Sequence, residues 1–372
     1  MITINSKKIF NKFLKYFFAL NKSYKIILLL IVLAIISLIV FIVTLWYERA
    51  QQNIGIEQTE IIDEPIVTLP DETIPSYYIR RSIDGIYTEP AEANLYPIAV
   101  MIDNDPNARP QAGLAQAQLV YEAKAEGGIT RFMAIFAGSD DLPIIGPIRS
   151  ARPYYIDWAR GFGALYVHVG GSPEALAILE KIDMFDINEF YQGKYFWRSD
   201  AKIAPHNVYG SQDNFQTYLK KLNATNRGYN AWLYKDEAPE NERGKKNITI
   251  DYSVNDFFVE WKYDQQSNNY IRYMAGQEHK DTDGTQISAK NIVIMQVAAK
   301  VIDDKLRREM SDIGEGKAWY CFDGYCAVGN WKKSDSDTRE KIYNSSGEEV
   351  RFNAGTTWIQ VVQYEEELGI NE

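Results

Sequence analysis

Residues Ile26 to Trp46 form 21 consecutive positions without a charge, interrupted only by the polar Ser37 and Thr44. At a helical rise of ~1.5 Å per residue the run spans about 31 Å, the thickness of a bilayer's hydrocarbon core. Lys7, Lys8, Lys12, Lys15, Lys22 and Lys25 precede it with no acidic side chain among them, and Glu48 follows it. The positive-inside rule therefore predicts a single-pass anchor with a cytoplasmic N-terminus and an extracytoplasmic remainder, Trp46 and Tyr47 lying at the outer headgroups. A cleaved signal peptide would need a shorter apolar core, ~7–15 residues, and a small-residue cleavage site, which TLWYERAQQN lacks. No cysteine follows the run at a position suited to a lipid anchor.

The anchor divides the charge unevenly. The whole chain carries −10, but its first 47 residues hold six lysines and no acid, leaving 34 basic against 50 acidic side chains outside. That balance of −16 argues against nucleic acid, whose binding needs a basic surface, and against broad contact with an anionic membrane. The chain holds 25 tyrosines, 8 tryptophans and 16 phenylalanines, ample for a large core. Such rings also serve surfaces that recognise sugars or peptides.

The segments read as a basic tail (1–25), a transmembrane helix (26–46), an extended acidic linker (47–80), an α/β domain (81–235) and a β-rich domain (247–366). In the α/β part, Ile98–Ile102 is a short apolar strand, and 119–125 and 129–137 pair across Glu126-Gly127-Gly128. Helices are expected over 152–162, after Ser172-Pro173 and over 211–222. Beyond the polar stretch 235–246 the segments are short, aromatic and β-branched. Among them Asp323-Gly324 signals a two-residue hairpin, which would place Cys321 opposite Cys326 for a disulfide; two free thiols are the alternative.

Polar groups gather at the ends of the α/β strands, where such folds place ligand sites. Asp103, Glu122, Glu126 and His168 are the candidate acid–base groups. Arg109, Arg131, Arg149, Ser150, Arg152, Ser172, Arg198, His206 and Asn207 are candidate ligand contacts, the arginines as bidentate anion donors. Glu122 and Glu126, four apart, are expected on one face of one strand; a solvated charge cluster with Arg131 is the plain alternative. His168 reads equally as a core histidine. A metal site from His168, His206 and an acid is conceivable, but no H-x-H or H-E-x-x-H pair occurs, so neither metal nor cofactor is expected. G-x-S-x-G and Walker motifs are absent.

The strings YPIAVMIDNDPNARPQAGLAQAQLVYEAKAEGGITRF, GPIRSARPYYIDWA, LYVHVGGSPEAL, FWRSDAKIAPHNVY, NIVIMQVA and WYCFDGYCAVGNW resemble the YerB-like lipoproteins, bacterial envelope proteins with a domain of unknown function (family 3048). The resemblance runs from about Tyr96 to Val362. It implies a two-part outer module, α/β then β-rich, and no established reaction. Its polar set falls on the candidates above together with Asn104. The chain departs from it in carrying an apolar span where a lipidated cysteine is expected. Two functions are carried forward: binding of an anionic envelope ligand, polymer, peptide or partner protein, and an envelope hydrolase or transferase using Glu/Asp and His168.

Overall fold

A computed structural model describes Asn21, Pro75 and residues 77–138, 141–224, 226–252, 254–363 and 367–371. The basic tail apart from Asn21, the apolar span and nearly all of the linker expected from the sequence lie outside these residues. Among the described residues no helix is long and apolar enough to cross a membrane.

The first half runs β1 (Ile98–Asp103), β2 (Leu119–Lys124), β3 (Thr130–Phe136), α1 (Pro153–Gly161), β4 (Leu165–His168), α2 (Pro173–Leu179), β5 (Asp186–Asn188), α3 (Glu189–Gln192), β6 (Phe196–Arg198), β7 (Val208–Gly210) and α4 (Gln212–Lys221). Local chemistry sets the helix starts. Pro153 and Pro173 occupy first helical positions, where their missing N–H groups have no intrahelical role. Ser172 Oγ accepts from Ala175 N–H at 3.2 Å, and Ser211 Oγ from Asn214 N–H at 3.2 Å. Lys220 and Lys221 end α4, where positive charge meets the helix dipole favourably.

The second half runs β8 (Asn247–Asp251), β9 (Phe258–Asp264), β10 (Asn269–Met274), β11 (Gln277–Glu278), β12 (Ser288–Ala289), β13 (Asn291–Gln296), β14 (Gly314–Phe322), β15 (Tyr325–Lys333), β16 (Lys341–Tyr343), β17 (Thr357–Val362) and β18 (Glu367–Asn371). It is β-rich, as the sequence indicates. Asp323 (φ 51°) and Gly324 (φ 73°) both take the left-handed conformation that a two-residue hairpin between β14 and β15 demands. The register sets Cys321 against Cys326, which are joined by a disulfide.

The two halves follow one another along the chain but share a sheet. Its ten strands lie in the order β16-β15-β14-β13-β17-β2-β3-β1-β4-β5. Strand β17 runs parallel to both neighbours, with Ile359 between Val293 of the second half and Tyr121 of the first. A smaller antiparallel sheet, β11-β10-β9-β8-β18 with β12 paired to β10, covers one face. Trp261 of that sheet meets Trp358 edge-on at 5.2 Å. Helix α1 covers the other face, where Trp158 stacks on Tyr121 at 5.1 Å. Tyr154 and Tyr155 donate from α1 to the carbonyls of Lys124 (2.8 Å) and Arg131 (2.5 Å), so this amphipathic helix is fixed by hydrogen bonds as well as by apolar burial.

Candidate functional site

Strand alternation decides which candidates meet. Met101 and Met133 belong to the core under α1, so Asp103 and Arg131, two residues away along their strands and opposite each other in register, lie on that same face at its rim. The Asp103 carboxylate takes three contacts. His206 Nδ1 lies 2.7 Å and Arg149 Nε 3.1 Å from Oδ2, and the Asp105 N–H donates to Oδ1 at 3.0 Å. His206 Nε2 is turned away from Asp103 and lies 3.9 Å from Asp105 Oδ1, beyond hydrogen-bond range. Next to this group, Glu126 pairs with Arg131 at 3.2 Å and with Arg152. Arg131 also donates to the Ser150 carbonyl at 2.9 Å, tying β3 to the loop that carries Arg149 and Arg152. Asp103, Glu126, Arg131, Arg149, Ser150, Arg152 and His206 thus form one connected rim.

Burial lowers the pKa of Arg149, opposed by Asp103, and also lowers that of Arg152. Both remain cations near neutral pH, because an arginine starts so high. Lys202, missed in the sequence, reaches the same rim. Its Nζ donates to the carbonyls of Ala108 and Pro110, and burial lowers its pKa against the pull of Asp103.

The remaining candidates are elsewhere. Strand β2 stops at Lys124 and Glu126 falls in the turn, so the expectation that Glu122 and Glu126 share a strand face is corrected. Glu122 alternates with the core residues Tyr121 and Ala123 and projects to the opposite face of the sheet. There, fully buried, it accepts from Arg272 Nη2 at 2.8 Å and Thr130 Oγ1 at 2.8 Å. Arg272 Nε donates to His279 Nδ1 at 2.9 Å, so the imidazole proton sits on Nε2 and donates to Gln111 Oε1 at 2.9 Å. Arg109 closes this network by donating from Nε to Asn104 Oδ1 at 3.2 Å. Its guanidinium lies 5.0 Å from the Phe257 ring.

His168 is fully buried, with Nδ1 2.7 Å from the Gly170 carbonyl and Nε2 3.1 Å from Asp186. With both ring nitrogens engaged it is a satisfied core histidine, and the histidine found at the rim is His206. Ser172 is spent on capping α2. Arg198 bridges Glu189 at 3.0 Å and Asn207 at 3.1 Å, on the segment that leads to His206.

Arg272, His279 and Gln111 escaped the sequence reading, although one signal was present. Tyr270, Arg272 and Met274 occupy the buried positions of alternating β10, and a charge in such a series demands a buried partner. No group of three His, Cys, Asp or Glu side chains with metal-binding geometry occurs among the described residues. A pocket of about 150 Å³ between α4 and the start of β1, lined by Tyr96, Ile98, Phe136 and Leu219, contains none of the candidates.

Comparison with known proteins gives a consistent picture. Residues 84–225 match a family described as "Protein of unknown function (DUF3048) N-terminal domain", and residues 248–359 match its C-terminal domain. "Putative lipoprotein YerB" of Bacillus subtilis (strain 168) is 34% identical over 297 residues, spanning 76% of this chain and 86% of that protein. The crystal structure of YerB from Bacillus subtilis superimposes with a TM-score of 0.71 at 31% identity, covering 78% of this chain and 99% of the other.

Proposed function

The chain belongs to the DUF3048 family, and from that premise we propose that it is an extracytoplasmic, membrane-anchored envelope protein that binds an anionic ligand at the Asp103–Arg149–His206 rim. The observation that carries the reading is the donor surplus around Asp103. Its single carboxylate orients both Arg149 and His206, yet uses only Nε of one and Nδ1 of the other. Among the described residues, the terminal amino groups of Arg149 have one long contact, 3.5 Å from Nη1 to the Pro205 carbonyl. That leaves a planar donor fork beside His206 Nε2, the chemistry that receives a carboxylate or phosphate. Titration of the full chain in detergent with inorganic phosphate and with citrate tests this. Arg149→Ala is expected to weaken binding at least tenfold, and unchanged binding would overturn the reading.

The anchor in this proposal is the apolar run Ile26–Trp46, oriented by the six lysines before it. Protease added to wall-stripped cells should digest the part after Tyr47, and full protection of that part would reverse the orientation.

A second reading is an envelope hydrolase or transferase, favoured by one distance. His206 Nδ1 at 2.7 Å from Asp103 leaves Nε2 available as a general base, the arrangement by which a carboxylate fixes an imidazole tautomer. Under this reading His206→Gln abolishes turnover while anion binding persists.

A further inference from the structure

Among the described residues, the three most exposed large apolar side chains are Ile203 (86%), Tyr191 (81%) and Phe190 (65%). Scattered singly, exposed apolar residues need no explanation, but these three belong to one segment, residues 189–207, that ends at the rim. Helix α3 carries Phe190 and Tyr191, and β6 follows within four residues carrying Trp197, itself 38% exposed. The Arg198–Glu189 ion pair ties β6 back to the start of α3. The turn that returns to β7 carries Ile203, whose carbonyl accepts from the His206 N–H at 3.0 Å.

The segment is also seated on the arginine loop. Phe190 lies against Gly170, where a Cβ would come within 2.7 Å of its ring and where φ is 57°. The Gly170 carbonyl receives Ala151 N–H at 3.0 Å, and Arg149 contributes its carbonyl to Val169 N–H at 3.0 Å. On the other side Trp197 stacks on Tyr209, whose hydroxyl feels the charge of Asp103, so the ring-bearing segment is seated beside the rim.

We propose that the ligand of the rim is an anionic glycan, its pyranose faces lying on Tyr191 and Trp197 and its carboxylate or phosphate on Arg149 and His206. This rests on the anion-binding reading above and goes further by naming the polymer. The charge pattern selects it over an acidic protein segment. Arg198 is offset by Glu189 and Arg149 by Asp103, while Lys202 is spent on the carbonyls of Ala108 and Pro110, so the lip presents isolated donors and no continuous basic run for a string of carboxylates. What it offers is ring surface together with planar hydrogen-bonding groups held in place, Arg149 by Asp103 and, on the opposite face of β6 from Trp197, Arg198 by Glu189 and Asn207. That combination suits C–H faces and hydroxyl pairs of sugars spaced between isolated acid groups.

The test uses the full chain in detergent and five soluble probes: a polyuronate, a phosphorylated mannan, the same mannan without phosphate, polyglutamate and inorganic phosphate. Binding is expected to the two acidic glycans, the preferred one identifying carboxylate or phosphate as the anion, and more weakly to neutral mannan. Tyr191→Ala and Trp197→Ala should each weaken glycan binding about three- to tenfold, with inorganic phosphate unaffected. Tyr191→Trp, which keeps a ring, should retain it. If Arg149→Ala abolishes binding while both ring variants bind acidic glycans normally, the anion reading stands and the glycan inference is overturned. Polyglutamate binding as tightly as the acidic glycans would likewise overturn it, in favour of an acidic protein partner.

Discussion

Replacing Arg272 by Met removes one member of the fully buried pair with Glu122 and leaves a carboxylate inside the molecule. Both side chains are 0% exposed and the pair spans 2.8 Å, so water cannot take the place of the lost cation. The Arg272 guanidinium also lies 4.5 Å from the Trp358 ring centroid and 5.0 Å from that of Trp261, and donates to His279. Breaking a buried pair from one side costs about 3–5 kcal/mol, mostly from the uncompensated charge. At ~2–4 °C per kcal/mol for a domain of this size, the melting temperature should fall by about 6–20 °C. The informative variant is the double one. If the loss in Arg272→Met comes mainly from stranding Glu122, adding Glu122→Met should restore at least ~2 kcal/mol, because an apolar pair of similar volume is often as stable as a buried ion pair. Near-ultraviolet circular dichroism melts and urea titrations of the wild type, both single variants and the double variant give the cycle. A double variant as unstable as the sum of the singles would refute the coupling, and the pair would then count only as packing volume.

Three further outcomes are expected. His279 is held well below the ordinary histidine range by burial and by Arg272 and Arg109, so the unfolded chain takes up a proton near pH 6.5 that the folded one refuses. Urea midpoints compared with His279→Gln should therefore show the wild type losing about 1.4 kcal/mol per pH unit from this group as pH falls below ~6.5, and parallel curves would contradict it. Asp312 has the opposite sign. Burial and Asp157 raise its pKa to about 7, so its folded form keeps a proton that the unfolded chain releases near pH 4. Relative to Asp312→Asn, wild-type stability should decline as pH rises from ~4 to ~7 and then level off, by about 4 kcal/mol at most. Finally, the Cys321–Cys326 loop is short, so changing both to Ser should cost only about 2 kcal/mol, and thiol reagents should label neither cysteine before reduction.

Local chemistry was readable where neighbours along the chain decide the outcome. Ser172-Pro173 starts a helix, Asp323-Gly324 turns a hairpin, and Glu126-Gly127-Gly128 joins two antiparallel strands, each through contacts within a few residues. The central pairing was not readable, because Thr357 lies beside Leu119, far back in the sequence, and a parallel pair leaves no turn motif between its members. The site divided in the same way. Candidates at strand ends were visible as polar breaks in apolar runs, but assigning Glu122 to the far face depends on where β2 ends, at Lys124, and on a strand, β10, that supplies Arg272 from the other half. His206 and His168 look alike in the sequence. Only tertiary packing closes both nitrogens of one and leaves Nε2 of the other without a hydrogen bond among the described residues.

The placement of β17 bears on how such a chain can be made and inherited. Until residues 357–362 have emerged and slotted in, β2 on one side and β13 on the other are each an open strand edge, the kind of surface that recruits unrelated chains. Synthesis thus exposes the first half as an unfinished sheet until the second has been made. A gene cut between the halves would encode two fragments with open strand edges instead of two modules, so recombination should pass them on together.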